Sequence, residues 1–254
     1  MLDVHPPHAA ARSWSDFLIH IATISVGLLI AVGLEQSVEF FHRQHQRHQL
    51  EQDLHAEGLR NRAVIENDIK YLRTLAAWQL RVIHAAQDAQ TLQGKPAPPY
   101  PAAFNTEIRN SGAGLRYVAP SASVWTIAQE SNTIALLPRE EALLYTRLYR
   151  IHELIVGIDF EWRRSYLQFG AIEARFSPDP DAEQPPILSS MSSPQLEQLA
   201  VAAAVDRTAA NTLRDLLQGF RGANEAILRG ARTEDGLIES IYQDQLNLTP
   251  AQHR

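Results

Sequence analysis

Glu39-Phe40-Phe41-His42 is an E-x-x-H, and on a helix that spacing sets a carboxylate and an imidazole on one face. Di-iron carboxylate bundles use two such pairs with two further glutamates. The sequence holds no second E-x-x-H, so the plainer reading is a polar patch. Around it stand His42, His45, His48 and His55, the last two seven residues apart and sharing a helical face. Imidazoles so spaced suit zinc or nickel, or a change of charge between about pH 5 and 8. The bland alternative is a solvated helix surface. Glu39 and these four histidines are the only metal candidates, and neither a metal nor any other cofactor is assigned.

Aromatic chemistry gathers further on. Tyr145, Tyr149 and Trp162, with Arg163 and Arg164, could line a ligand cleft between helices, although aromatic residues at helical spacing are usually core. Ser111-Gly112-Ala113-Gly114 lacks the Lys-Ser/Thr ending of a phosphate-binding loop and reads as a flexible connection. His84 and His152 fall inside helical patterns and read as packed or surface residues. No nucleophile elbow, zinc-protease or kinase signature occurs, so no catalytic residue is assigned and a non-enzymatic role is expected.

The elements that carry these residues follow from composition and periodicity. The chain has 254 residues, 45% apolar and 20% charged, which are globular values. With 23 Lys+Arg against 29 Asp+Glu the net charge is -6, which offers no footprint for nucleic acid. There is no cysteine, so disulfides, thiolate metal sites and cysteine nucleophiles are excluded together.

Phe17 to Leu34 reads FLIHIATISVGLLIAVGL, free of formal charge. At helical rise it covers about 27 Å, close to the roughly 30 Å of bilayer hydrocarbon. Trp14 and Phe17 mark one end, Phe40 and Phe41 the other. A transmembrane helix over 17–38 is the expectation. Two readings compete with it. Ala31-Val32-Gly33 resembles a signal-cleavage site, but Asp3 and Asp16 beside a lone Arg12 make a poor positive flank. A buried core helix is the other, and hydrophobicity all round the helix argues against it. Arg12 on one side nearly balances Arg43 and Arg47 on the other, so the side of the soluble part stays open. Thr23, Gly27 and Ala31 recur every four residues, a small-xxx-small row and thus a candidate dimer seam.

After an N-terminal tail over 1–16 and the span, a polar helical stalk is expected over 39–64, then a helical bundle domain over 65–246, then a tail over 247–254. Leu50, Leu54, Ile65, Ile69, Leu72, Ala76 and Ile83 repeat at three and four residues. Only Gly58 interrupts, at about 1 kcal/mol. Prolines and glycines place loops at about 94–120 and 177–193. A short helix is expected from about Ser121 to Glu130. Pro138 opens the clearest pattern, a heptad seam of Leu144, Leu148, Ile151, Ile155, Ile158, Trp162, Ser165, Phe169, Ile172 and Phe176. Pro194 starts another helix, with Leu199, Ala203, Ala210, Leu213, Leu217, Phe220 and Ile227 inward and Gly230 as its stop. Thr233 can cap a last helix to about Leu246. The fold expected is all-α: a transmembrane helix continuing into a stalk and an antiparallel helical bundle.

The order of WSDFLIHIATISVGLLIAVGLEQ (Trp14–Gln36), a polar helix, and VWTIAQESNTIALLPREEALLYTRLYRIHEL (Val124–Leu154) resembles an uncharacterised family of bacterial single-span membrane proteins. Trp125, Tyr145 and Tyr149 match its pattern, and Asn132 stands where a glycine is usual. The resemblance covers roughly residues 14–60 and 120–155. It implies a bacterial inner membrane and an α-helical domain, and it carries over no activity and no functional residue. The partners expected are the lipid bilayer and a second copy of the chain or another membrane protein. The expected role is a scaffold or sensor-like interaction module, with a ligand- or metal-binding helical bundle as the alternative.

Overall fold

Between Trp14 and Thr91 the chain has no proline, and a single helix, α1, covers that whole range. The computed structural model describes residues 14–92, 98–110, 116–179 and 184–239. The N-terminal tail up to residue 13, residues 93–97 of the breaker run, Ser111-Gly112-Ala113-Gly114, residues 180–183 and everything from residue 240 lie outside the described residues. After α1 come α2 (Phe104–Asn110), α3 (Ser123–Glu130), a 3-10 turn (Thr133–Leu136), α4 (Arg139–Phe176), a second 3-10 turn (Leu188–Ser190) and α5 (Ser193–Leu228). All regular structure among the described residues is helical.

The chain divides into two units, Met1–Leu50 and Glu51–Arg254. In the first, apolar side chains face outward all round the helix: Leu18, Ile24, Leu29, Leu34 and Phe41 are each more than half exposed. An 18-residue window of mean hydropathy 2.4 has none of its residues buried. This helix is long and apolar enough to cross a membrane. The Thr23 and Ser37 hydroxyls donate to the carbonyls of Ile19 and Gly33, at 2.9 and 2.7 Å. That back-bonding lets a hydroxyl sit on an apolar helix with its proton satisfied.

In the second unit, residues 51–91 of α1 pack with α4 and α5. Glu57 meets Tyr149 and Trp78 meets Phe169, so α1 and α4 run the same way. Gly58 meets Asn224 and Gln79 meets Asp206, so α5 runs opposite to α1. Ser165 reaching Asp206 and His152 lying by Phe220 set α5 opposite to α4 as well. Long chain between α1 and α4 makes their parallel run attainable, where a short turn would force them antiparallel. Fully buried Leu54, Ile65, Leu72 and Leu75 of α1, Ile155 and Phe169 of α4, and Leu199, Leu213, Leu217 and Phe220 of α5 form the interior. Each such side chain contributes about 1.5–3 kcal/mol by leaving water.

Local signals account for the helix ends. Pro138 is the N-cap of α4, one residue outside the helical position that its type suggests. Glu140 and Glu141 lie in the first turn and Arg175 in the last, each complementing the helix dipole. Ser192 and Gln195 form a capping box on α5. Gly230 has φ 99° and ends α5. The Ala231 N–H then donates to Ala226 and that of Gly230 to Ile227, which closes the last carbonyls. Thr233 accepts from the Gly236 N–H at 3.2 Å and opens a helical stretch described to residue 239. Asn132 takes φ 56° between α3 and the 3-10 turn.

The stretch expected as stalk contains core positions in its second half: Leu54, Glu57, Gly58 and Asn61 are buried. Gly58 explains itself there. A Cβ on it would come within 2.9 Å of the Asn224 side-chain oxygen and 3.2 Å of Leu228. The Asn224 amide meanwhile donates to the Gly58 carbonyl at 2.9 Å. Close approach of α1 and α5 thus needs a residue without a side chain. Gly58→Ala should lower stability by about 1 kcal/mol or more despite alanine's better helix propensity, since the gain of about 1 kcal/mol is outweighed by displacing a bonded Asn224. Urea unfolding followed by circular dichroism measures this, and an increase in midpoint would overturn the close-approach account.

Candidate functional site

The residues with chemistry in the second unit fall into a polar strap, a buried carboxylate node and three clefts. The strap is the segment over 116–124, irregular up to Ala122 and then entering the first turn of α3. A helix spends its own backbone groups internally, so chain laid along it must be satisfied by side chains. Asn67 donates to the Arg116 carbonyl at 2.6 Å, and Asp68 accepts from the Val118 N–H at 3.0 Å. His152 of α4 approaches the Pro120 carbonyl at 2.8 Å. Asn61 both donates to and accepts from the Ser121 backbone, each at 2.8 Å. Glu57 closes the segment. One carboxylate oxygen accepts from Ser121 Oγ, Ser123 Oγ and the Val124 N–H at 2.9, 3.0 and 3.1 Å, and the other from Tyr149 Oη at 2.5 Å. The N-cap of α3 is Ala122, which has no capping side chain, so the α1 carboxylate takes over that office from another helix.

Asp206 sits fully buried on α5 between the other two long helices. Ser165 donates to it at 2.9 Å and the Gln79 amide donates to its second oxygen. Burial raises its carboxyl to about 6, against the lowering effect of those two hydrogen bonds. Asp68 is raised to about 7, again chiefly by burial, with the Val118 bond opposing. Its Oδ2 has no hydrogen-bond partner among the described residues.

One cleft, of about 390 Å³, is lined by Trp78, Tyr100, Phe104, Tyr166, Phe169 and Glu173 among others. Tyr100 Oη donates to Glu173. Burial, more than the negative charge of Asp206, pushes the Glu173 carboxyl up to about 7, while the Tyr100 bond pulls it down. A second cleft, of about 510 Å³, is lined by Tyr71, Arg116, Tyr117, Trp162, Arg163 and Tyr166 among others. Here Arg163 binds both oxygens of Asp159 at 3.0 Å and lies 5.5 Å from the Tyr117 ring centre. The Tyr117 hydroxyl and the Trp162 indole N–H are buried without a hydrogen-bond partner among the described residues. The third, of about 300 Å³, borders Trp125, Tyr149 and His152.

The candidates from sequence are distributed as follows. Tyr145 and Tyr149 both stack on Trp125, Tyr149 at 5.1 Å and 6°. Trp162 lies instead among Tyr71, Tyr117 and Tyr166. The three are therefore not brought into one cleft: Tyr149 borders the third and Trp162 the second. Arg163 lines the cleft of Trp162, whereas Arg164 is exposed near Glu161. Glu39 pairs with Arg43, and His42 with Gln46 at 3.0 Å, so the E-x-x-H is split between other partners. His42, His45, His48 and His55 are all exposed, and no three His, Asp or Glu side chains converge for a metal among the described residues. Thr23, Gly27 and Ala31 are exposed on the apolar part of α1. Glu57, Asp68, Glu173 and Asp206 escaped sequence reasoning. Asp206 left a trace, since it continues the inward row of Leu199, Ala203 and Ala210, and Glu57 and Asp68 likewise continue the row of Leu54, Ile65 and Leu72.

Two outcomes follow. Glu57→Ala removes the acceptor of four donors at once and should destabilise the chain by about 2–4 kcal/mol, read from denaturant unfolding. A loss under 0.5 kcal/mol would show that water replaces it. Asp206 predicts the sign of a pH dependence. Its folded value of about 6 lies above the unfolded value near 3.9, so folding takes up a proton between them. Its contribution is full below pH ~4 and is lost as pH rises through about 6, roughly 3 kcal/mol at most. Asp68 and Glu173 extend a loss of the same sign to about 7. Asp206→Asn should flatten the fall in melting temperature between pH 4 and 7; an equally steep fall refutes the assignment.

Comparison of the chain with protein-family models, with curated proteins and with solved structures yields no match in any of the three.

Proposed function

We propose that this chain is a membrane-anchored helical scaffold or sensor-like interaction module, held by a single span in a bacterial inner membrane. The observation that carries the reading is α1 itself: one helix has an apolar stretch with no residue buried and, further along, the core positions of a packed helical bundle. An all-round apolar helical surface of that length needs lipid or protein around it. Residues 17–38 are the span and the polar turns after it the stalk. The bundle begins near Leu54 rather than at residue 65, because Glu57 and Asn61 belong to its interior.

A ligand-binding form of the same module is favoured by a separate observation, the two aromatic clefts of about 390 and 510 Å³, both of a size that suits small molecules. Self-association through Thr23, Gly27 and Ala31 is the partner contact proposed within the span. A Cβ on Gly27 would meet nothing within 4 Å, so its face is open to another helix.

Alkaline carbonate extraction of membranes from expressing cells should leave the full-length chain in the pellet. Release into the supernatant, or an amino terminus that begins at Leu34, defeats the anchored reading. Because the chain has no cysteine, Gly27→Cys gives a clean probe. It should form an oxidative dimer in membranes at several times the yield of Leu29→Cys, which lies on the opposite helical face. Equal or absent dimer from both removes the seam.

A further inference from the structure

We propose that the cleft walled by Trp78, Tyr100, Phe104, Tyr166 and Phe169 binds a small organic ammonium ion, with Glu173 as its counter-charge. The inference rests on the ligand-binding form of the reading above and names the ligand class.

Three features of the cleft converge on a cation. The first is the wall. Trp78 packs against Phe104 at 5.6 Å and edge-on against Phe169 at 5.7 Å, so the rings brace one another. The Trp78 indole N–H is already donated to the Ala102 carbonyl at 2.8 Å, so it offers the cleft no free donor, and Tyr100 and Tyr166 are the half-buried rings of the wall. Aromatic faces attract cations and reward weakly hydrated ones most.

The second is the charge. Glu173 is the one acidic lining residue, and none of the described lining residues is Lys, Arg or His. Its hydrogen-bond partner is the Tyr100 hydroxyl, a neutral donor. A carboxylate among rings, with no basic residue among the described lining residues, is costly to keep charged, and burial raises it. An ammonium arriving from solution supplies the missing charge. An anion or a neutral acceptor would meet the carboxylate as an opponent.

The third is space. Gly170 lines the same cleft, and a Cβ built on it meets nothing within 4 Å. Room therefore exists beside α4 at the level of Phe169 and Glu173. The neighbouring cleft makes an internal contrast. It is equally aromatic, but its charged lining residues are Arg116 and Arg163, so it offers the same cation no counter-charge.

The ammonium could belong to a free amine or to a lipid headgroup, and the test separates them. The full chain is purified in maltoside micelles, which carry no ammonium of their own. Choline, phenethylamine and glycerophosphocholine are titrated by calorimetry, with 3,3-dimethylbutan-1-ol as the neutral counterpart of choline. At least one of the three cations should bind saturably and at least tenfold more tightly than the neutral alcohol. Tighter binding of choline or phenethylamine identifies a free amine, and tighter binding of glycerophosphocholine a headgroup. Glu173→Gln should weaken the best binder at least tenfold. Gly170→Leu, which fills the cleft while improving helix propensity, should abolish binding with the melting curve retained. No saturable binding by any of the three cations, equal binding of the alcohol, or indifference to both substitutions overturns the proposal. Membrane retention and crosslinking play no part in this readout, so its failure leaves the anchored scaffold standing.

Discussion

A helix has no backbone groups to lend, and the second unit is organised around that fact. The segment over 116–122 runs beside α1 without regular structure and leads into the first turn of α3, so its amides and carbonyls must find side chains. Asn67, Asp68, Asn61 and Glu57 are spaced along α1 to meet Arg116, Val118, Ser121 and Val124 in turn, and His152 reaches Pro120 from α4. From Val118 to Val124 the strap's backbone is met in reverse order along the helix, by Asp68, Asn61 and Glu57, as an antiparallel strand would be, but by side chains. Shifting the register by one residue would leave several buried groups unpaired at once, each at about 1–3 kcal/mol.

The same logic fixes how the three long helices face one another. Apolar surfaces slide with little penalty, whereas Gln79, Ser165 and Asp206 meet at one height only. A second tie lies where Asn224 bonds the Gly58 carbonyl, and Arg62 binds Glu225 one turn away, at 2.6 Å. Buried polar contacts of this kind contribute little net stability and much specificity, since the wrong alignment strands a charge or an amide. Glu173 stands apart from this set: it lies in the last turn of α4, and its hydrogen-bond partner is the neutral Tyr100 hydroxyl.

Much of the helical framework was legible in the residues. The heptad seam of α4, the stop at Gly230, the cap at Thr233 and the outward apolar run of α1 all follow from local pattern, because helix ends and amphipathic stripes are properties of neighbours in sequence. The polar interior was not legible for the opposite reason. Glu57, Asn61 and Asp68 share the helical row of Leu54, Ile65 and Leu72, but their polar types hide that membership, and the expected stalk takes in Glu57 and Asn61. Their partners lie 50 to 92 residues away, most of them in a segment without periodicity and one, Tyr149, on α4. Tyr145, Tyr149 and Trp162 share a helix and share aromatic character, but Trp125 claims the first two and Tyr71 and Tyr117 border the third. Grouping by residue type merged two clusters that the third dimension separates.

The spacing of these ties along the chain also sets an order of assembly. Ser165 and Asp206 are 41 residues apart, so α4 and α5 can close on each other as a near-local hairpin. The contacts of α1 span 92 residues to Tyr149 and 166 to Asn224. On the ribosome α1 emerges first, with its row of Glu57, Asn61, Asp68 and Gln79 bonded only to water. It must wait for the rest of the chain before that row can be dried, so the polar face that specifies the finished structure also keeps the waiting helix soluble.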